Sequence, residues 1–233
     1  MTLTMSIKEI LQELISLGDP KFCKSMERFA LPSRNALGIA LPRLRALAKK
    51  VGKNHVLAKE LWDSGIYEAR ILAALVDDQA LVSEDQMEEW VKDFDSWGIV
   101  DNTCGNLFDK TPFAYQKAKE WSRRSEEFVK RAGFALIAYL GVHDKKVSNE
   151  RLLSFFPLIK KASPDERNFV KKAVNWALRE IGKRNLACNK QAIVLAKELQ
   201  KSASPSARWI AKNALGELQS KEVRLRLTNK KAP

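Results

Sequence analysis

Apolar residues recur along this chain at intervals of three and four, and no stretch alternates apolar and polar residues over the length of a strand. Helix-start signals accompany this spacing. Ser6–Glu9 and Ser83–Gln86 fit the capping box, in which two side chains satisfy free backbone N–H groups of a first turn. Thr111, Ser163 and Ser204 each precede a proline, which is well placed at the first position of a helix. The pattern predicts an all-α protein.

The helical spacing predicts about 12–13 helices joined by short connections. Their expected ranges are 6–17, 21–30, 42–52, 54–64, 66–77, 84–94, 99–109, 112–123, 125–141, 148–161, 165–183, 188–201 and 205–219. Short connections make consecutive helices antiparallel, so we expect an α–α superhelix, a solenoid of helical hairpins with a concave face. No sharp sequence period occurs, and a compact irregular bundle is the alternative. Because no linker divides the chain, we expect one helical-repeat domain over residues 1–220 and a basic tail over 221–233.

The chain lacks the sequence features of a membrane or secreted protein. It has no apolar run of about 18 residues, and its first residues, MTLTMSIKEI, do not fit a signal peptide. Cys23, Cys104 and Cys188 are far apart and odd in number, which favours a reducing, cytoplasmic location without disulfides. His55 and His143 are isolated and no Cys-x-x-Cys occurs, so we expect no metal site.

Charge is distributed unevenly along the chain. With 41 Lys and Arg against 28 Asp and Glu, the net charge is +13. Residues 157–233 carry a net +12, whereas residues 1–156 carry +1. Within the latter, residues 60–101 hold 12 acidic and 2 basic residues. Clustered positive charge favours a polyanionic partner, and a merely basic soluble surface is the alternative.

The segment FDSWGIVDNTCGNLF (94–108) lies where the acidic run meets the basic remainder, and it places Trp97 four residues before Asp101. A carboxylate and an indole that lie close together at such a boundary are candidate catalytic groups. Two structural alternatives stay open. Asp101 can be a helix N-cap, since aspartate accepts hydrogen bonds from a first turn, and Trp97 can fill a core.

The predicted helix 165–183 combines an apolar stripe with an aromatic, basic face. The stripe comprises Val170, Ala173, Val174, Ala177, Leu178 and Ile181. At 100° per residue, Trp176, Lys172, Arg179 and Lys183 lie on the opposite side. A tryptophan among cations fits a nucleic-acid strand, with the cations on phosphates and the ring on sugar or base. The alternative is a second layer of packing with the cations extending outward.

The predicted helix 125–141 is apolar almost all round, which indicates a central position. Lys130 and Arg131 interrupt it. A charge on a buried helix is unfavourable unless it is paired or used, so Arg131 is a candidate for binding a phosphate. A local ion pair with Glu127, four residues earlier, is the alternative.

Five segments of the sequence say more about its relationship to other proteins than its composition does. They are GIALPRLRALAKK (38–50), EARILAALVDD (68–78), SWGIVD (96–101), EEFVKRAGFALIAYL (126–140) and RNFVKKAVNWALREIGKR (167–184). Together they resemble the AlkD-type DNA alkylation repair glycosylases, an all-helical family of HEAT-like repeats, over about residues 24–218. The last segment is quite specific and the first moderately so. The resemblance implies a HEAT-like repeat solenoid with a concave, basic face.

In that family a tryptophan and an aspartate of one motif, an arginine on a later helix and a second tryptophan line the cleft. These match Trp97, Asp101, Arg131 and Trp176 here. The resemblance implies excision of N3- or N7-alkylated purines from duplex DNA without a metal or cofactor, the lesion being held without a flipped-base pocket. This chain departs from the family at Gly98, where aspartate is frequent. We expect the protein to act as a monomer.

We therefore predict a DNA glycosylase. Its expected catalytic residues are Asp101, Trp97 and Trp176, and its expected DNA-binding residues are Arg131, Lys172, Arg179 and Lys183. Two other functions stay open. One is a non-catalytic DNA- or RNA-binding solenoid, which the resemblance allows because some members of the superfamily lack these residues. The other is a protein–protein scaffold that uses the acidic segment 60–101.

Overall fold

The computed structural model describes residues 5–31 and 34–229, which are helical and contain no β-strand. Fifteen α-helices follow in chain order: α1 (Ile7–Leu17), α2 (Pro20–Met26), α3 (Leu41–Val51), α4 (His55–Asp63), α5 (Tyr67–Val76), α6 (Glu84–Lys92), α7 (Trp97–Asn106), α8 (Ala114–Trp121), α9 (Glu127–His143), α10 (Asn149–Leu153), α11 (Phe156–Ala162), α12 (Asn168–Gly182), α13 (Leu186–Gln200), α14 (Pro205–Leu218) and α15 (Lys221–Asn229). Short 3-10 helices follow α2 and α7, at Glu27–Phe29 and Phe108–Lys110. The all-α prediction is confirmed. Among the described helices, none has the length and apolar character needed to cross a membrane.

Several helices begin where the capping signals predict. Ser6 and Glu9 form a complete capping box, with Ser6 N donating to Glu9 Oε2 at 2.7 Å and Glu9 N donating to Ser6 Oγ at 3.3 Å. Ser83 and Ser204 accept from backbone N–H groups of the first turn at 3.1 and 3.3 Å. At these positions local sequence decides the helix start.

Two helices begin later than their proline signals predict. Helix α8 starts at Ala114 and α12 at Asn168, rather than at 112 and 165. The hydroxyls of Thr111 and Ser163 donate backward, to the backbone oxygens three residues earlier, at 2.8 Å each. They therefore close the preceding helix instead of capping the next one.

The predicted helix 148–161 is wrong, because two short helices, α10 and α11, occupy this range. Ser154 Oγ donates to the Arg151 backbone oxygen at 2.7 Å and closes α10. Pro157 follows in the first turn of α11. Proline lacks a backbone N–H, so it cannot continue a helix from the residues before it.

The helices form two compact units, residues 1–111 and 112–233, and the prediction of a single domain over 1–220 stays a prediction. In the first unit Trp62 stacks on Trp90, with ring centroids 4.0 Å apart. Trp62 Nε1 donates to Asp93 Oδ2 at 2.9 Å, and Arg70 Nη2 donates to the same oxygen at 3.1 Å. This carboxylate of the acidic segment is thus engaged within its own unit.

The loop at residues 37–39 is held by a buried carboxylate. Glu68 on α5 is fully buried, and it accepts from the three backbone N–H groups of this loop at 2.8, 2.8 and 3.1 Å. Gly38 has φ +78°, and an added Cβ would lie 2.2 Å from the Asp19 backbone oxygen, so the turn requires glycine. The three donors compensate the burial of the charge and fix the loop against α5.

In the second unit α9 is central, as its composition predicts. Most of its residues from Val129 to Gly141 are buried. Gly133 allows a close approach to the end of α8, since an added Cβ would lie 2.3 Å from Ser122 N. The predicted apolar stripe of α12 is fully buried, which confirms the orientation of that helix.

A charged cluster beside α9 provides a pH-dependent prediction. Asp165 accepts from Arg167 Nε at 2.9 Å and from Lys130 Nζ at 3.1 Å. Despite partial burial, the hydrogen bonds from Arg167 foremost, and then from Lys130, lower the pKa of Asp165 to about 2. A carboxyl whose folded-state pKa is depressed stabilises the fold above its unfolded pKa, and this stability is lost as pH falls.

We expect Asp165→Asn to lower the free energy of unfolding by about 1 kcal/mol at pH 7, after allowance for solvent screening. The deficit relative to wild type should shrink between about pH 4 and pH 2, because protonation removes the same charge from the wild type. Urea melts of both proteins across this range measure it. A loss of stability that does not change with pH would show that the substitution acts through packing and not through charge.

The sequence pattern missed the last helix. Residues 221–229, assigned to the basic tail, form α15, in which Val223 and Leu227 are buried. These apolar residues are four apart and so share one helix face, which docks the segment onto its unit. The remainder of the predicted tail lies outside the described residues.

Candidate active site

Helix α7 carries the two candidate groups of the first unit. Trp97 is its first residue and Asp101 lies one turn later, so both project from neighbouring positions of one face. The N-cap is Ser96, whose Oγ accepts from Ile99 N at 3.5 Å. The alternative in which Asp101 caps the helix is therefore wrong, because the helix begins at Trp97, four residues before Asp101. The predicted helix start at residue 99 was two residues too late. Asp101 is half-buried, inside the helix.

The Trp97 ring is held in a defined orientation. Its indole N–H donates to the Phe29 backbone oxygen at 2.8 Å, on the 3-10 helix that follows α2. The residue is half-buried, so a part of the ring stays accessible to solvent. A fixed and partly exposed indole differs from a core tryptophan such as Trp62, which is 1% exposed. This arrangement provides a rigid aromatic surface beside Asp101.

Gly98, the position that departs from the family pattern, is a point of close packing. An added Cβ would lie 2.1 Å from the Tyr67 hydroxyl oxygen and 2.7 Å from Leu31 Cδ2. The hydroxyl group of Tyr67 therefore occupies the space that a side chain at residue 98 needs. Sequence reasoning missed Tyr67, although a glycine inside a helix next to Trp97 is itself a sign of such an approach.

The Tyr67 hydroxyl lies in acidic surroundings. Burial foremost, and then the carboxylates of Glu68, Asp95 and Asp101, raise the pKa of Tyr67 well above its ordinary value. The phenol therefore stays protonated across the physiological range. It places a neutral hydroxyl group against α7, within the electrostatic reach of Asp101.

In the second unit Trp176 is part of an aromatic group. The ring is half-buried and meets the Tyr139 ring edge-on, with centroids 4.9 Å apart and planes at 80°. Tyr139 in turn contacts His143 on α9, at 5.3 Å between centroids. Tyr139 was not among the predicted site residues. Its signal was a tyrosine within the otherwise aliphatic segment of α9, a helix expected to be central.

Arg131 is more deeply buried than a phosphate contact needs. It is 6% exposed, and its Nη1 donates to the Phe169 backbone oxygen at 2.8 Å. This hydrogen bond joins α9 to the first turn of α12, the helix that carries Trp176. Contact of Arg131 with DNA stays a prediction.

The three cations predicted around Trp176 differ in their surroundings. Lys172 is exposed. Arg179 Nη1 and Lys183 Nζ both donate to Glu217 on α14, and Lys183 also contacts Glu180 at 2.7 Å. Burial raises the pKa of Glu217, but the hydrogen bonds from Lys183 and Arg179 outweigh it, and the pKa is lowered overall. Ion pairs within the unit therefore compensate Arg179 and Lys183, and their binding to DNA stays a prediction.

The described residues contain no group of three or more His, Cys, Asp or Glu side chains placed to hold a metal ion. The candidate groups of the first unit are the half-buried Asp101, the partly exposed Trp97 and the buried Tyr67, and the second unit offers the half-buried Trp176. Such groups can stabilise a cation and orient water.

Comparison with solved structures identifies the fold. One structure, described as "a new family of proteins related to the HEAT-like repeat DNA glycosylases with affinity for branched DNA structures", has a TM-score of 0.80 at 23% identity and covers 96% of both chains. This likeness confirms the predicted HEAT-like repeat fold. Two designed armadillo repeat proteins have TM-scores of 0.37 and 0.40, at 15% and 17% identity. They cover 75% and 93% of this chain, and 91% and 87% of their own.

Sequence comparison gives the family. None of the curated proteins compared with this chain matches it. The sequence profile described as "DNA alkylation repair enzyme" matches residues 10–218, a range that includes both α7 and α12. Since this range spans nearly all of the sequence, the chain belongs to the DNA alkylation repair enzyme family.

Proposed function

We propose that the protein is a monofunctional DNA glycosylase that hydrolyses the N-glycosidic bond of N3- or N7-alkylated purines in duplex DNA. The observation that carries this proposal is the pair on α7: Asp101 stands half-buried one turn after a tryptophan whose indole is fixed by a hydrogen bond. Membership of the DNA alkylation repair enzyme family supports it.

The chemistry suits a single carboxylate. A purine alkylated at N3 or N7 is cationic, so it departs as a neutral base with the electron pair of the glycosidic bond and needs no general acid. Loss of the base leaves positive charge on the deoxyribose, which the Asp101 carboxylate stabilises. Water then adds to C1′ and its proton passes to Asp101, which acts as general base.

The aromatic and basic groups bind the substrate in this proposal. In the first unit the face of Trp97 attracts a cationic group of the substrate, and in the second unit the face of Trp176 does the same, each by roughly 0.5–2 kcal/mol. Lys172, exposed beside Trp176 on α12, contacts a phosphate. Arg131 positions α12 through its hydrogen bond to the Phe169 backbone oxygen, and it is the predicted second contact with a phosphate.

Release of free base from a duplex with N7-methylguanine or N3-methyladenine at one position tests the proposal. We expect release well above the spontaneous rate, and none from the same duplex without the lesion. The assay should run with enzyme in excess, so that product release does not limit the rate. Spontaneous rates at saturating protein with both lesions would contradict the glycosylase assignment.

A non-catalytic DNA-binding protein is the second candidate. One observation favours it: the similar solved structure is described as having affinity for branched DNA. The resemblance noted in the sequence adds that Gly98 stands where aspartate is expected. In this case the protein binds duplex or branched DNA tightly and releases no base. Equilibrium binding to a duplex and to a four-way junction, measured beside the release assay, separates the two functions.

We expect Trp176→Ala to slow base release by about tenfold, because the cationic base loses one aromatic face. The fold should persist, since the ring is half-buried and meets Tyr139 only by its edge. Trp209→Ala is the matched control, because Trp209 is a half-buried tryptophan of the same unit that contacts Lys171 instead. Equal losses of base release in both variants would show a general effect of losing an indole.

A further inference from the structure

A cavity of about 960 Å³ opens in the second unit beside the C-terminal ends of α9 and α12. The loop at residues 144–148, the start of α13 and part of α15 complete its wall. Of the predicted site residues, Lys183 lies on this wall. The proposed glycosylase chemistry does not use the cavity, whose volume is at the upper end of the range for ligand pockets.

The wall is strongly basic. It carries Lys145, Lys146, Lys183, Arg184 and Arg226 against one carboxylate, Glu180. Ion pairs with Glu180 and Glu217 compensate the charge of Lys183. The other four cations leave a clear positive excess, which a bound anion would relieve.

Two guanidiniums of the wall are already positioned. Arg184 Nη2 donates to the Lys145 backbone oxygen at 2.6 Å, and Arg226 Nη2 donates to the Lys183 backbone oxygen at 3.4 Å. Each bond employs one of five guanidinium donors and leaves others for a ligand. Because the side chains are held, an anion binds them with little loss of rotamer entropy. Guanidinium groups suit phosphate, which accepts two parallel hydrogen bonds.

The same wall contains apolar surface. Val147, Leu186 and Leu227 line the cavity, and Leu186 at the start of α13 is 47% exposed. An inorganic anion gains nothing from a leucine side chain. A nucleotide uses both surfaces, with its phosphate on the cations and its sugar or base against the aliphatic groups.

The cavity adjoins the candidate site along two helices. Gly141 follows Tyr139 by two residues on α9, and Glu180 follows Trp176 by one turn, about 6 Å along the axis of α12. A strand whose damaged nucleotide lies at Trp176 would therefore bring neighbouring nucleotides to the cavity.

We propose that this cavity binds a nucleotide of a DNA strand, with its phosphate on Lys146, Arg184 and Arg226 and its sugar or base on the Leu186 wall. The proposal rests on the DNA binding of the proposed function and not on base excision. A free mononucleotide offers the same chemistry, and binding measurements separate the two sources.

The test is anisotropy of a dye-labelled single-stranded oligonucleotide of about 12 residues, titrated with the full chain at fixed salt. Lys146→Glu should weaken binding by about tenfold or more, because an exposed phosphate contact becomes repulsive. Leu186→Ser should weaken it by about three- to fivefold through lost apolar contact. Lys49→Glu, the same charge change at an exposed position of α3, should alter it by less than about twofold.

Competition with deoxyadenosine monophosphate and with inorganic phosphate completes the test. The mononucleotide should displace the oligonucleotide at lower concentration than phosphate does, and the advantage should vanish in Leu186→Ser. Equal losses for Lys49→Glu and Lys146→Glu, or unchanged binding by Leu186→Ser, would overturn the proposal. So would a protein that binds the mononucleotide but not the oligonucleotide. Because binding is measured on undamaged DNA, its result does not depend on whether the protein releases bases.

Discussion

Replacing Asp101 by Asn is expected to slow base release by about 10²-fold or more, since general-base and charge-stabilising roles supply about 10²–10⁴. Asparagine keeps the size of the side chain and one acceptor oxygen but removes the negative charge that faces the developing sugar cation. Affinity for the duplex should hold or rise, because a charge that repels phosphates is lost. Single-turnover base release and duplex affinity, measured side by side, test both expectations.

The position of Asp101 within α7 makes this substitution informative. Ser96 provides the cap of the helix, so a change at Asp101 does not remove a capping hydrogen bond. Ser96→Ala is the matched control: it should lower stability by about 1 kcal/mol and leave the rate of base release close to wild type. Full activity in Asp101→Asn would remove the catalytic role of this carboxylate even if the wild type proves to be a glycosylase.

The second large effect is expected at Gly98. Gly98→Asp introduces the residue that the resemblance leads us to expect here, yet its Cβ would lie 2.1 Å from the Tyr67 hydroxyl oxygen. We expect a loss of roughly 1–3 kcal/mol or more in the free energy of unfolding, as for other overpacked sites. Gly216→Asp, on α14 where an added Cβ meets nothing within 4 Å, should change stability much less. Urea melts of the two variants give the comparison.

A double substitution separates steric conflict from helix propensity. Tyr67→Phe removes the hydroxyl oxygen and leaves the ring carbon 3.2 Å from the added Cβ, while Leu31 Cδ2 can rotate away. Gly98→Asp should therefore be less destabilising in the Tyr67→Phe background than in wild type. If the effects of the two substitutions on the free energy of unfolding simply add, contact with Tyr67 is not the cause of the destabilisation.

The sequence predicted what depends on local pattern. The buried stripe of α12, the central position of α9 and the capping box at Ser6 follow from spacing and cap chemistry, and the structure has all three. The hydroxyl residues before prolines gave wrong helix starts, because the hydroxyls of Thr111 and Ser163 donate to backbone oxygens of the preceding helix. A donor can turn in either direction, and sequence does not say which.

Contacts between distant residues lay beyond the sequence pattern. Trp97 bonds to a backbone oxygen 68 positions earlier, and Arg179 meets Glu217, 38 positions later, which compensates a cation predicted to bind DNA. Tyr67 entered the candidate site only through its closeness to Gly98. Spacing along one helix cannot reveal partners on another helix. The catalytic and DNA-binding roles of the predicted residues stay predictions.

The backbone N–H groups of the loop at residues 37–39 bind a carboxylate of the protein itself. Successive backbone N–H groups of this kind form a concavity that binds phosphate in other proteins, but here Glu68 fills it. As part of the same chain, this carboxylate has an effective concentration at the loop of about millimolar or higher. Free phosphate and the phosphates of DNA therefore compete poorly for these donors. The loop has the shape of an anion receptor, yet intramolecular competition closes it to external ligands.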